Sequence, residues 1–112
     1  MRTEWFVKAE EQKDSIANYI FERFGFNRME QFLNEVEMTI GLIGEYPNIG
    51  AIDPLFEKRK TTYRSMIIGG LSKMVYRIDE DKERLYIYRG VLGLPTGTGN
   101  KKQLNRHRQY IE

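Results

Sequence analysis

The segment from Thr61 to Leu92 constrains the fold most strongly, because it predicts three consecutive strands joined by two tight turns. It reads TTYRSMIIGGLSKMVYRIDEDKERLYIYRGVL, and its Tyr, Ile, Val, Met and Thr side chains suit a pleated, half-buried surface. Gly69-Gly70 supplies the positive φ of a short hairpin, and the Asp-rich stretch at residues 79–82 has the composition of a second turn. We therefore expect a three-stranded antiparallel meander.

The residues before this meander predict one strand and one long helix. Residues 3–8 are aromatic and β-branched, as in a short strand. From Ala9 to Phe24 the apolar side chains recur at helical spacing while acidic residues occupy other positions, which is typical of an amphipathic helix. Gly25 is expected to end this helix by entering the left-handed αL conformation.

A second amphipathic helix is predicted to follow almost at once. Asn27 is expected to cap it, with Glu30 three residues later as in a capping box. Its apolar face continues to Ile43, so that the two helices form a hairpin packed on the sheet. Pro47 ends the helix, and a connector then leads to the meander. The predicted fold class is α+β, with the order β-α-α-β-β-β and a small, mainly antiparallel sheet.

Length and composition fit one small domain. The 112 residues predict a domain at residues 1–92 and a flexible C-terminal extension at residues 93–112, which is rich in Gly, Thr and Lys. Cysteine is absent, which excludes disulfides, thiolate catalysis and Cys-ligated zinc. The N-terminus lacks an apolar signal segment, and no apolar run approaches the ~20 residues that span a bilayer. We expect a cytoplasmic protein that contacts no membrane and uses no cofactor or metal.

The small net charge of +2 conceals an uneven distribution. Residues 1–57 hold 5 Lys/Arg against 11 Asp/Glu, whereas residues 58–112 hold 13 against 5. An acidic helical half and a basic sheet-and-tail half are therefore expected. The basic half suits a polyanion such as nucleic acid, or an acidic protein segment. The alternative is that the two halves neutralise each other across the fold.

Each strand of the predicted meander carries one arginine. Arg64, Arg77 and Arg89 would form a basic stripe with about 4.8 Å from one strand to the next, which suits phosphate. The alternative is that they are solvated strand positions. Strand alternation places Arg77 and Lys73 on the solvent face of their strand. Arg64 and Arg89 alternate with apolar residues, which leaves three options for each: an apolar face, a position beyond a bulge, or a partner groove.

Several short motifs stand in a characteristic order along residues 3–92. They are Trp5, Ala9, Asp14-x-Ile16-x-x-Tyr19-Ile20, Phe24-Gly25, the helix from Phe32 to Ile43, Pro47-x-x-Gly50, Tyr63-Arg64 and Val75-Tyr76-Arg77-Ile78-Asp79. In this order and spacing they resemble the RelE/ParE superfamily of toxins from bacterial type II toxin–antitoxin modules. The resemblance implies a helical hairpin on an antiparallel sheet, and a cognate antitoxin that wraps over the toxin in a hetero-oligomer.

The resemblance implies one of two toxin activities. The ParE-like class inhibits DNA gyrase by protein–protein contact, and the long helix pair with the Pro47-x-x-Gly50 connector favours it. The RelE-like class cleaves mRNA, usually on the ribosome, which would make this chain an endoribonuclease. A third alternative, from another class, is a non-catalytic module whose basic half binds RNA or an acidic peptide.

An RNase of the RelE-like class needs a cation for the phosphorane, an activator for the ribose 2′-OH and a proton source for the 5′-oxygen. The candidate catalytic residues are Arg64, Arg77, Arg89, His107 and Tyr110, and Arg64 is favoured as the cation because it lies in the Tyr-Arg motif. The candidates for binding RNA or a partner are Lys58, Arg59, Lys60 and Lys73. For His107, which lies between two arginines, a solvated role in the tail is the alternative.

Overall fold

The computed structural model describes residues 1–69 and 72–92. Helix α1 spans Val7–Phe24 and helix α2 spans Phe26–Glu45. The strands are β1 Arg2–Trp5, β2 Ala51–Ile52, β3 Arg64–Ile68, β4 Ser72–Asp79 and β5 Arg84–Leu92, and a 3₁₀ turn spans Pro54–Phe56. Within these residues, no helix is both long enough and apolar enough to cross a membrane. The predicted extension at residues 93–112 lies outside the described part of the chain.

The strands form one sheet in the order β1-β5-β4-β3-β2. β3, β4 and β5 form the predicted antiparallel meander, with Arg64 opposite Tyr76 and Arg77 opposite Tyr86. β1 lies parallel to β5 at one edge, and the two-residue β2 pairs with β3 at the other. The prediction of an α+β fold with a helical hairpin on a mainly antiparallel sheet is confirmed. The short β2 is an addition that the sequence did not indicate.

The main core lies between the helical hairpin and one face of the sheet, which we call the helix-side face. Its buried residues are Ala9, Ile16, Ala17 and Ile20 of α1, Phe32, Val36 and Ile43 of α2, and Ile68, Met74, Tyr76, Leu85 and Ile87 of the sheet. Burying one large apolar side chain stabilises a fold by about 1.5–3 kcal/mol, so this layer dominates the stability. The alternation predicted for β4 is confirmed, since Met74 and Tyr76 both lie on this face.

The turn between the helices differs from the predicted caps. α1 ends at Phe24 as expected, and Gly25 has a positive φ of 91°. Its ψ of 179° lies outside the expected αL conformation, in a region that glycine alone adopts readily. α2 already begins at Phe26, so the prediction of Asn27 as its cap is wrong. The chain reverses at a single glycine, which leaves no room for a separate capping residue.

The described turn residues of the meander, Gly69 and Asp79, have the geometry expected of them. Gly69 has a positive φ of 62°, and Gly70 lies outside the described residues. In the second turn, Oδ1 of Asp79 accepts a hydrogen bond of 3.2 Å from the backbone N–H of Lys82. Asp side chains stabilise turns in this way, by accepting a hydrogen bond from the backbone a few residues further along the chain. Glu83 then adopts a positive φ of 52° before β5 begins.

Candidate functional site

A β-bulge in β5 decides where its polar side chains point. Val75 of β4 lies opposite Arg89. The next residue of β4, Tyr76, lies opposite Ile87, so Tyr88 is an extra residue without a partner in the register. A bulge redirects the side chains that follow it, and cross-strand partners point to the same side. Tyr88 and Arg89 therefore both share with Val75 the face turned away from the helices, which we call the open face.

Aromatic rings pack together on the open face. The ring centroids are 5.0 Å apart for Phe56 and Tyr63, and 4.8 Å apart for Tyr63 and Tyr88. Phe6, the residue between β1 and α1, also contacts them, with its ring centroid 5.1 Å from that of Tyr88. Val75 is fully buried among them. This second, smaller core, which we call the aromatic cluster, holds the connector between β2 and β3 against the sheet.

An ion pair between buried Asp53 and partly exposed Lys73 fixes the start of the same connector. Asp53 is fully buried, and its Oδ1 accepts a hydrogen bond of 2.9 Å from the backbone N–H of Leu55. Its Oδ2 lies 2.9 Å from Nζ of Lys73, whose side chain is 24% exposed. Lys73 was predicted to bind RNA or a partner. In the structure its charge is matched by Asp53, so its first role is to hold the connector on the sheet.

Arg59 lies over the aromatic cluster at its solvent side. Its guanidinium carbon is 4.8 Å from the ring centroid of Phe56 and 5.8 Å from that of Tyr88. Its Nη1 donates a hydrogen bond of 3.2 Å to the hydroxyl of Tyr88. Exposed cation–π contacts of this kind contribute about 0.5–1 kcal/mol each. Lys58 and Lys60 are exposed on either side of Arg59, so three consecutive cations border the open face.

Tyr88 lies between two arginines. Arg59 donates to its hydroxyl, and the guanidinium carbon of Arg89 is 5.3 Å from its ring centroid. Burial raises the pKa of the Tyr88 hydroxyl, but hydrogen bonds from Arg59 and Arg89 and their charges outweigh it, so the pKa lies below the usual tyrosine value. This part of the open face therefore favours a negatively charged oxygen, either the phenolate of Tyr88 or a carboxylate or phosphate of a ligand.

Arg64 lies apart from this cluster, on the helix-side face. Its Nη1 donates to the carbonyl of Gly50 at 2.8 Å and to that of Asn48 at 3.5 Å. Beside it, the hydroxyl of Tyr76 accepts from the Gly50 N–H at 3.0 Å and donates to the Pro47 carbonyl at 2.9 Å. Burial raises the pKa of Tyr76, so it remains a hydrogen-bond donor. Arg64 and Tyr76 thus form hydrogen bonds with the backbone N–H and C=O groups of the Pro47-x-x-Gly50 loop.

Arg77 lies on the open face, as predicted, but apart from Tyr88. Its guanidinium carbon is 4.2 Å from the ring centroid of Tyr86. Arg64 and Arg77 both border a polar cleft of about 250 Å³, where β4 continues beyond its pairing with β3. The three strand arginines therefore lie on two faces of the sheet and do not form the predicted stripe. Of the three, Arg89 is the one that contacts the ring of Tyr88.

Tyr88 is the residue that sequence reasoning missed. The available signal was the run Tyr86-Ile87-Tyr88-Arg89, in which two tyrosines alternate on one face and an arginine follows directly. Its bond with Arg59 joins residues 29 positions apart and depends on the bulge. The predicted candidates His107 and Tyr110 lie outside the described residues. Within residues 1–69 and 72–92, no group of three His, Cys, Asp or Glu side chains is placed to hold a metal ion.

Comparisons with known proteins show similarity of the fold and no similarity to a known family. No family model matches the chain, and no curated protein matches it. Among solved structures, the fold is similar to a chain of the structure described as "Chromosomal ParDE TA system from P. aeruginosa", with a TM-score of 0.65 and 16% sequence identity. The similarity covers 84% of this chain and 97% of that chain. At this identity the comparison shows a shared fold.

Proposed function

We propose that this chain is the toxin of a type II toxin–antitoxin pair, ParE-like in class, that inhibits DNA gyrase by protein–protein contact. A cognate antitoxin neutralises it, and both act in the cytoplasm. The observation that carries the proposal is the hairpin-on-sheet fold, which is similar over 84% of the chain to a chain of a ParDE TA system. The order of the sequence motifs from Trp5 to Asp79 supports the same class.

The chemistry of the open face favours contact over cleavage. Cleavage of RNA requires a group that gives a proton to the leaving 5′-oxygen. Among the described residues, the charged groups against Tyr88 are Arg59 and Arg89, and arginine does not release a proton near neutral pH. The Tyr88 hydroxyl would then have to serve both proton transfers. Arginines stacked on aromatic rings are instead a composition enriched at protein interfaces.

Induced expression in a bacterial culture tests the proposal. We expect growth to stop, the DNA-damage response to rise and gyrase–DNA complexes to accumulate. Co-expression of the neighbouring reading frame, the candidate antitoxin, is expected to restore growth. Unimpaired growth with soluble chain present would overturn the toxin assignment, whereas arrest without trapped gyrase would overturn the target.

A second candidate function is mRNA cleavage, for which Tyr88 would supply a base and its two arginines the cations. Its phenolate would accept the proton of the ribose 2′-OH, and Arg59 and Arg89 would stabilise the charge of the phosphorane. The proton for the 5′-oxygen would come from a further group, for which His107 is the candidate. This function predicts loss of intact mRNA after induction, and intact mRNA with Tyr88→Phe. Intact mRNA during arrest by the wild-type chain would eliminate it.

A further inference from the structure

The helical layer and the sheet layer of the fold carry opposite net charge. The hairpin at residues 7–45 holds 8 Asp/Glu against 4 Lys/Arg, whereas residues 51–69 and 72–92 hold 6 against 9. Two carboxylates of the sheet layer are matched by cations of the same layer, in the pairs Asp53–Lys73 and Glu4–Arg84. These pairs do not join the two layers, so the acidic helices and the basic open face lie on opposite sides of the molecule.

Positive charge dominates the part of the open face around the aromatic cluster. The cations there are Lys58, Arg59, Lys60, Arg77 and Arg89. The carboxylates beside them are Glu57, which is exposed in the connector, and Asp79, which follows Arg77 on the same face of β4. Within the described residues, neither Arg59 nor Arg77 forms an ion pair. Five cations therefore face two carboxylates, which favours a ligand with several negative charges.

Three arginines of this face lie over aromatic rings. The guanidinium carbon of Arg77 is 4.2 Å from the ring centroid of Tyr86, and that of Arg89 is 5.3 Å from the ring centroid of Tyr88. Arg59 lies over three rings of the aromatic cluster and donates one hydrogen bond to the Tyr88 hydroxyl. Stacking orients a guanidinium group, and each group has five N–H donors. The three arginines can therefore donate further hydrogen bonds to oxygens of a ligand.

This stacking favours double-stranded over single-stranded nucleic acid. Proteins that bind unpaired strands stack the bases on open aromatic rings. Here the rings of Tyr86 and Tyr88 lie under arginines, and Phe56 and Tyr63 are only 3% and 8% exposed. The face presents guanidinium groups to phosphates and little ring surface to bases. A DNA duplex keeps its bases stacked inside and exposes one negative charge per about 1.7 Å of its axis.

We propose that the open face contacts the phosphate backbone of the duplex DNA on which gyrase acts, with Arg59, Arg77 and Arg89 donating to phosphate oxygens. This inference rests on the proposed function, and it adds a DNA contact to the contact with gyrase. The acidic helices turn away from the duplex because like charges repel, so the opposite charge of the two layers orients the bound chain. Phosphate contacts carry no sequence information, so duplexes of any sequence bind.

Fluorescence anisotropy of labelled DNA, with the full-length chain, tests this contact. We expect the chain to bind a duplex more tightly than either of its single strands. The logarithm of the duplex affinity falls by about 0.9 per neutralised phosphate for each tenfold rise in salt. Arg77→Gln is expected to reduce this slope by about 0.9. It also weakens duplex binding about fivefold at physiological salt, which is the counterion contribution of one phosphate.

Arg28→Gln is the matched control, because it removes the same charge from the other layer. Arg28 is exposed, and its guanidinium carbon lies 5.1 Å from the ring centroid of Phe24 in the helical hairpin. This variant is expected to keep the salt slope of the wild-type chain. In a gyrase assay, the concentration that traps gyrase on DNA rises about fivefold for Arg77→Gln, as for the duplex affinity, and stays the same for Arg28→Gln. Circular dichroism establishes that both variants are folded.

The remaining outcomes separate the inference from the proposed function. An unchanged salt slope in folded Arg77→Gln, or a wild-type chain that does not bind the duplex, overturns the DNA contact; if the wild-type chain still traps gyrase, the proposed function stands. Tighter binding to a single strand assigns the face to unpaired nucleic acid. Displacement of the duplex by poly-glutamate at equal charge concentration assigns it to an acidic protein segment, and either result overturns duplex DNA as the occupant. Duplex binding without trapped gyrase overturns the proposed function, and with it the complex in which the contact is made.

Discussion

The Nη1 atom of Arg59 donates a hydrogen bond of 3.2 Å to the hydroxyl of Tyr88. This bond joins the connector after β2 to the bulge of β5, two segments that the aromatic cluster already holds together. Because Arg89 approaches the same ring from β5, Tyr88 lies between two positive charges on the open face. The electrostatics of the candidate site depend on this arrangement.

Replacing Arg59 with glutamine is expected to raise the pKa of Tyr88, because a hydrogen bond and a positive charge that favour its phenolate are lost. Ring resonances in an NMR titration report the change, with Tyr88→Phe identifying the signal. The folded-state pKa of Tyr88 lies below the unfolded value of about 10. Ionised Tyr88 therefore stabilises the fold, and this contribution grows as the pH rises from the folded-state pKa to about 10. It is lost as the pH falls through the folded-state pKa. Lys60→Gln, one residue away, is the control. The same Tyr88 pKa in wild type and Arg59→Gln contradicts the account.

Gly50 lies so close to Tyr76 that a larger residue has no space. A Cβ atom at Gly50 would lie 2.8 Å from the Ser65 carbonyl oxygen and 2.8 Å from the Tyr76 hydroxyl oxygen. We expect Gly50→Ala to lower the free energy of unfolding by roughly 1–3 kcal/mol, as overpacking does. Denaturation in urea measures this.

Gly41→Ala is the matched control for Gly50. A Cβ at Gly41 meets no atom within 4 Å in the described part of the chain outside its own helix. Alanine is favoured over glycine within a helix by about 0.5–1 kcal/mol, so this variant is expected to gain stability. Equal effects of the two substitutions would show that the close approach at Gly50 is unimportant.

Lys73→Met is expected to destabilise the chain by as much as about 3–5 kcal/mol, because it leaves the carboxylate of Asp53 buried without its cation. The control is Arg84→Met. Its ion pair with Glu4 has the same 2.9 Å separation, but the two side chains are 34% and 40% exposed. Exposed pairs contribute about 0–1 kcal/mol. Similar losses in thermal or urea unfolding of the two variants would refute the structural role of Lys73.

The overall fold was readable from the sequence because its signals are local. Alternating residues from Thr61 to Leu92 specify the meander, and helical spacing from Ala9 to Ile43 specifies the hairpin. The exact turn at Gly25 was not readable. Asn27 is a good capping residue, but packing of the helices on the sheet placed the turn at Gly25 and the start of α2 at Phe26.

Only part of the candidate site could be predicted from the sequence, because the site depends on contacts between segments that are distant along the chain. Arg59 and Arg89 were predicted as functional residues, but their common partner Tyr88 was not. The bulge that turns Tyr88 and Arg89 to one face has no local signature in the sequence. The Tyr-Arg motif favoured Arg64 as the phosphate-binding cation, whereas the structure places its guanidinium on the carbonyl of Gly50.

The central claim is that this chain inhibits DNA gyrase by direct contact. The most direct measurement adds the purified full-length chain to gyrase, ATP and relaxed plasmid, and follows supercoiling and DNA cleavage on a gel. We expect that supercoiling falls as the chain is added, that cleaved gyrase–DNA complexes accumulate, and that Tyr88→Phe leaves both effects intact. Normal supercoiling at a molar excess of folded chain, with cleavage of added RNA that Tyr88→Phe abolishes, would contradict it.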